Sequence, residues 1–217
     1  MLLKEIPSYF NYTNVLVFIT FAVVLLHHNP KKSTHRILLA IVFISFLNEL
    51  MALFLLFKKM DISLLYTVTT ILHNSLWLFL LSKYFHYHGL VSGVIVSYIS
   101  FSIFNLFFFE GHEMFNYYTF ILGAFIYLVL FIYESFFQLK KENFPFFTSN
   151  DYIVLFAPVL FFFGLSAIFG FKSYVLSSTI IFGSMNLYGF IGCFVNTVYY
   201  ILIAIYIYRE KRLKNDT

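Results

Sequence analysis

Residues 64–85 read LLYTVTTILHNSLWLFLLSKYF. The run is long enough to cross the hydrocarbon core of a bilayer, which takes about 20 residues of helix. It is uncharged up to Lys83, yet His73 and Asn74 stand at its midpoint. Trp77 follows one helical turn later, on the same side as His73. A histidine at that depth needs a partner. Other spans are therefore expected, and they must supply polar groups at the same level.

The composition agrees. The chain has 217 residues, 61% of them hydrophobic and 11% charged, with a mean hydropathy of +0.85. Too few charged groups remain to cover a soluble domain. No segment between the apolar runs is long enough to fold alone, so residues 1–217 read as a single transmembrane domain. The lone Cys193 excludes an internal disulfide and a cysteine-based metal cluster. Lys4 precedes an apolar run over 15–26, as in a signal peptide. His27, His28, Asn29 and Pro30 then stand where a cleavage site would have small residues, so this run is expected to stay as a span.

Working outward, seven windows qualify as spans: 12–28, 37–57, 63–84, 89–109, 115–137, 151–171 and 185–208. Residues 172–184, KSYVLSSTIIFGS, are mixed. They read either as a re-entrant or interfacial piece or as the start of the last helix. After the odd-numbered spans come Lys31, Lys32, Arg36, Lys83, Lys140, Lys141, Arg209, Lys211, Arg212 and Lys214. The other side holds Lys4, Lys58, Lys59 and Lys172, with the acidic turn Glu110-Gly111-His112-Glu113. Ten basic residues against four place the N-terminus outside and the C-terminus in the cytoplasm. The predicted fold is an all-α, polytopic bundle of seven transmembrane helices. Tyrosines at span ends, such as Tyr9, Tyr12, Tyr84 and Tyr208, form the usual interfacial belt. Pro158 should bend the sixth span, with Gly164 and Gly170 adding irregularity. Gly189 and Gly192 should let the seventh approach a neighbour closely.

Helical rise fixes relative depth. Asn48 and Glu49 lie within about one turn of the centre of the second span, and Asn196 lies near the centre of the seventh. Thr20 and Ser100 sit at similar depth in the first and fourth. An amide or charge facing lipid there costs on the order of 2–3 kcal/mol, so these groups should face the bundle interior. The candidate site is Asn48, Glu49, His73, Asn74, Trp77, Asn196 and Tyr200, with Glu49 and His73 paired directly or through water. Such a pair could carry one movable proton, bind a polar headgroup or act as a general base. The alternative is interhelical glue, a role that such hydrogen bonds fill at about 0.6 kcal/mol each without any ligand.

Other polar residues read as structural. Glu134 should lie near the cytoplasmic interface beside Lys140 and Lys141, and Asn105 should contact a neighbouring helix. His27, His28, His35, His86 and His88 gather on the cytoplasmic side as solvated interfacial histidines. No HExxH pattern supports a metal, so no metal or cofactor is expected. The sequon Asn11-Tyr12-Thr13 abuts the membrane. Span seven has no lysine for a retinal Schiff base. There is no Pro-Gln pair of the PQ-loop kind, no GxSxG elbow, no P-loop and no arginine ladder.

The last span, Gly192-Cys193-Phe194-Val195-Asn196-Thr197-Val198-Tyr199-Tyr200, followed by a basic tail, resembles a pattern in small integral membrane proteins of the Bacteroidota. The resemblance implies a seven-helix fold in a bacterial inner membrane. Those proteins often carry Asn or Glu near the middle of the third span. This chain has His73-Asn74 there, and His73 departs from the pattern. The expected role is a non-enzymatic, ligand-sensing or accessory component. Its partners would be the lipid bilayer, a membrane or cytoplasmic protein that carries the output, and a small or lipidic ligand, with no nucleic acid. The alternatives are an intramembrane lipid-modifying enzyme using Glu49 and His73, or a small proton-coupled transporter.

Overall fold

The computed structural model describes residues 11–170, 178–183 and 185–215. Lys4, Tyr9 and Lys172 lie outside the described residues. The fold is all-α. Among the described residues the helices are α1 (Tyr12–His27), α2 (Ser33–Phe57), α3 (Ser63–Ser82), α4 (His88–Phe104), α5 (Tyr117–Lys140), α6 (Phe144–Thr148), α7 (Asn150–Gly170) and α8 (Leu187–Asn215). A π turn, Asn105–Phe109, continues α4. Six of these helices are long and apolar enough to cross a membrane, and α1, at 16 residues, is a shorter apolar one. At helical rise, α1 is about 24 Å long, less than the roughly 30 Å hydrocarbon core.

The chain forms two compact units that meet in sequence at Gly123 and Ala124, inside α5. In the first, helices adjacent in sequence pack on one another: α1 on α2, α2 on α3, and α3 on α4. Short connectors make such neighbours antiparallel. Phe46 of α2 stacks on Phe21 of α1 at 4.4 Å and meets Phe18 edge-on at 5.2 Å. The start of α1 is fixed by a capping box: Asn11 accepts from the Asn14 amide, and Asn14 accepts from the Asn11 amide. Asn11, the sequon residue, is therefore the N-cap. At the start of α3, Asp61 accepts from the Ser63 amide and hydroxyl, which holds its carboxyl below the usual range.

In the second unit, α7 and α8 form the main packing pair and α6 packs on α7. Buried Val195, Tyr199, Ile203, Tyr206 and Ile207 line one face of α8 at three- and four-residue spacing. Phe161 of α7 stacks on Tyr199 at 4.9 Å. The close approach is made at Gly164, where an added Cβ would stand 2.6 Å from Val195 Cγ1. Gly192, expected to serve that purpose, has open space beside it, and Gly189 faces the Asn186 side chain. Pro158 stands inside a continuous α7. It removes one backbone donor, and Tyr127 of α5 donates to the Leu155 carbonyl in the same turn at 2.8 Å.

Two segments differ from expectation. Ile180–Phe182 and Met185–Asn186 pair as an antiparallel ribbon, with Gly183 at φ 56°. The described part of 178–186 is thus a β-turn structure, and α8 begins after it. Thr179-Ile180-Ile181 before Gly183 is the turn signature: β-branched residues followed by one that accepts positive φ. The second is the short helix α6, with proline in its first turn.

Candidate functional site

Among the described residues of the first unit, two groups of polar side chains are hydrogen-bonded between its helices. The first joins α1, α2 and α3 around Glu49. Asn14 Nδ2 donates to Glu49 Oε2 at 2.5 Å, and Asn48 Nδ2 approaches Oε1 at 3.5 Å. Thr69 Oγ1 donates to Asn48 Oδ1 at 2.8 Å. Both amides are locked, because Asn14 Oδ1 already accepts from the Asn11 amide and Asn48 Oδ1 from Thr69. Their NH₂ groups must point at the carboxylate, which can only accept when ionised. Glu49 is half-buried, whereas Asn14 and Asn48 are buried. Glu49 stands two turns before the end of α2, so α1 begins about 12 Å short of that end. The carboxylate thus lies beside the positive end of the α1 dipole, at a depth where α2 and α3 are still apolar.

The second group joins α3, α4 and α5. Asn74 Nδ2 donates to Tyr98 Oη at 3.1 Å, and Tyr98 donates to the Thr119 carbonyl at 3.4 Å. Gly123 makes the contact possible, since a Cβ there would collide with Asn74 Nδ2 and lie 2.8 Å from the Tyr98 ring. Toward the α4–α5 connector, fully buried Asn105 donates to Glu110 at 2.5 Å and to Thr119 Oγ1 at 2.9 Å. Buried Thr67 accepts from the Asn116 amide at 3.1 Å.

His73 stands on α3 one turn from Thr69 and next to Asn74. It is 8% exposed, and Trp77 Nε1 points at its Nε2 from 3.4 Å, one turn along α3. The carboxylate oxygens of Glu49 receive Asn14 and Asn48, and Asn74 engages Tyr98. Asn196 and Tyr200 belong to the second unit. There Asn196 Nδ2 donates to the Gly192 carbonyl of its own helix at 2.8 Å, and buried Tyr200 meets Tyr199 edge-on at 4.8 Å.

Of the outlying residues, Thr20 is buried and Ser100 is exposed; Tyr98 and Ser102 hold the inner face of α4. Glu134 lies in the last two turns of α5, is buried at 1% exposure, and accepts from Gln138 at 2.6 Å. Lys141 lies over the Phe137 ring at 4.3 Å. Asn105 contacts α5 as expected. His27 and His28 turn Nδ1 onto the carbonyls of Val23 and Leu25, and His35 Nδ1 accepts from the Asn29 amide, all at 2.9 Å. Asn14, Tyr98 and Gly123 escaped the sequence reading. Only Asn14 had a signal, the Asn11-x-x-Asn14 spacing of a capping box just before an apolar run.

Apolar helices of this length, with polar side chains paired inside them, define a multi-pass helical membrane protein. No family model, curated protein or solved structure matches the chain.

Proposed function

We propose that this protein is a non-enzymatic, ligand-binding component of the cell membrane, with the Asn14–Glu49–Asn48–Thr69 group as its recognition site. One observation carries the reading: a half-buried carboxylate at apolar depth, held by two amides whose orientations are fixed elsewhere. A carboxylate so held keeps lone pairs available and approachable. It suits a small ligand that donates hydrogen bonds, such as a protonated amine. The seven-helix arrangement, with the N-terminus outside and the C-terminus in the cytoplasm, follows from the connector charges. Any output then passes through a partner protein. A bacterial inner membrane rests on the resemblance of the last span. The two amides on the Glu49 carboxylate favour binding over acid–base chemistry between Glu49 and His73.

The test is thermal unfolding of the purified full chain with ethanolamine, choline and sodium as probes. Ethanolamine should raise Tm in the wild type and not in Glu49→Gln, while choline, which has no N–H, should do less. If no probe shifts the wild type, or Glu49→Gln responds equally, the group is interhelical glue.

A further inference from the structure

A second surface lies at the other end of the first unit, away from Glu49. The connectors 27–36 and 82–89 read HHNPKKSTHR and SKYFHYHG and contain no acidic residue. Thr34 Oγ1 and Tyr84 Oη are 3.1 Å apart, which brings the two connectors together. Lys31, Lys32, Arg36 and Lys83 are all exposed there. The described acidic residues of this unit lie elsewhere: Glu49 in the far half of α2, and Asp61, Glu110 and Glu113 in the opposite connectors. Among the described residues of this unit, the connectors at this end carry basic and no acidic side chains.

Immediately below the charges the surface turns apolar. Leu25 and Leu26 are 47% and 77% exposed in the last turn of α1. Lys83 Nζ sits 4.7 Å over the ring of Phe79, which is itself 44% exposed. An inorganic anion would use only the cations. A molecule with a phosphate head and acyl tails uses both layers.

We propose that this end of the first unit binds the headgroup of an anionic phospholipid through Lys31, Lys32, Arg36 and Lys83. The acyl chains lie along the exposed apolar side chains beneath. The proposal is independent of the Glu49 reading, since it uses different residues at a different depth.

The experiment is native mass spectrometry of the full chain in detergent, titrated with phosphatidylglycerol and phosphatidylcholine. Phosphatidylglycerol should be retained preferentially, and each basic residue lost should weaken that preference roughly fivefold at low salt. The combined Lys31→Gln, Lys32→Gln, Arg36→Gln and Lys83→Gln variant should bind both lipids alike. Lys58→Gln with Lys59→Gln, at the opposite end, should keep the preference. Equal binding of both lipids by the wild type overturns the proposal. So does a preference that survives the fourfold change, or one that the control pair abolishes. Inorganic phosphate competing as well as the lipid overturns the lipid assignment. If the fourfold variant does not fold, the wild type decides the matter, because a preference unaffected by raised salt is not electrostatic.

Discussion

Single atoms decide how the polar groups of the first unit fit. Gly123 has no side chain because Asn74 and Tyr98 fill the space where one would go. Both are 1% exposed and hydrogen-bonded to each other, so neither can yield cheaply. Gly123→Ala should cost about 1–3 kcal/mol, read as a lower Tm in detergent; an unchanged Tm would mean that α5 stands further from α3 than described. Asn14 has two tasks, closing the capping box and donating to Glu49. Asn14→Ala should cost about 1–2 kcal/mol and speed hydrogen exchange in the first turn of α1. Exchange that stays at the wild-type rate would show that the Asn11 cap holds the turn without the return bond from Asn14. Glu49 and His73 were legible as intramembrane polar residues from their position alone. Their partners were not, because an amide on any neighbouring span, or an indole N–H one turn along the same helix, satisfies a carboxylate or imidazole equally well on paper.

At the scale of the element, two helices stop in the same unusual way. α2 ends with Lys59 at φ 56° and α5 with Glu142 at φ 55°. In each, the following amide reaches back five residues: Met60 to the Leu55 carbonyl and Asn143 to that of Gln138, at 2.9 and 3.0 Å. This is the Schellman arrangement, which normally places glycine at the left-handed position. Lys59→Gly and Glu142→Gly should each stabilise the chain by up to about 1 kcal/mol, since a side chain is disfavoured there. A drop in Tm on either change would show that the side chain itself holds the turn. The opposite prediction applies to Gly164, where Gly164→Val should push α7 from α8 at Val195 and cost about 1–3 kcal/mol. A Tm equal to wild type would place the α7–α8 contact elsewhere. Helix extents were readable in advance because an apolar run of span length leaves few alternatives. These stops were not, because neither carries the glycine that marks them. The ribbon before α8 was missed because its apolar residues continue the hydropathy of the helix that follows.

For the molecule as a whole, the connectors make the sharpest statement. A cysteine at Lys31, in a Cys193→Ala background, should resist a membrane-impermeant maleimide applied to intact cells. A cysteine at Glu113 should react. The reverse pattern would invert the topology and move the cationic end of the first unit to the outer leaflet.

Composition and hydropathy by themselves determined that this is a helical membrane protein, because a chain this poor in charge has no soluble solution. They also located the helices and the polar residues that lipid cannot accept. The tertiary structure decided which of those residues meet. It gave Glu49 to Asn14 and Asn48, Asn74 to Tyr98, and His73 to Trp77. Depth follows from counting residues along one helix, whereas partnership depends on the rotation of each helix about its axis. That rotation is set by close packing, as at Gly123 and Gly164, where the absence of a single carbon permits the contact.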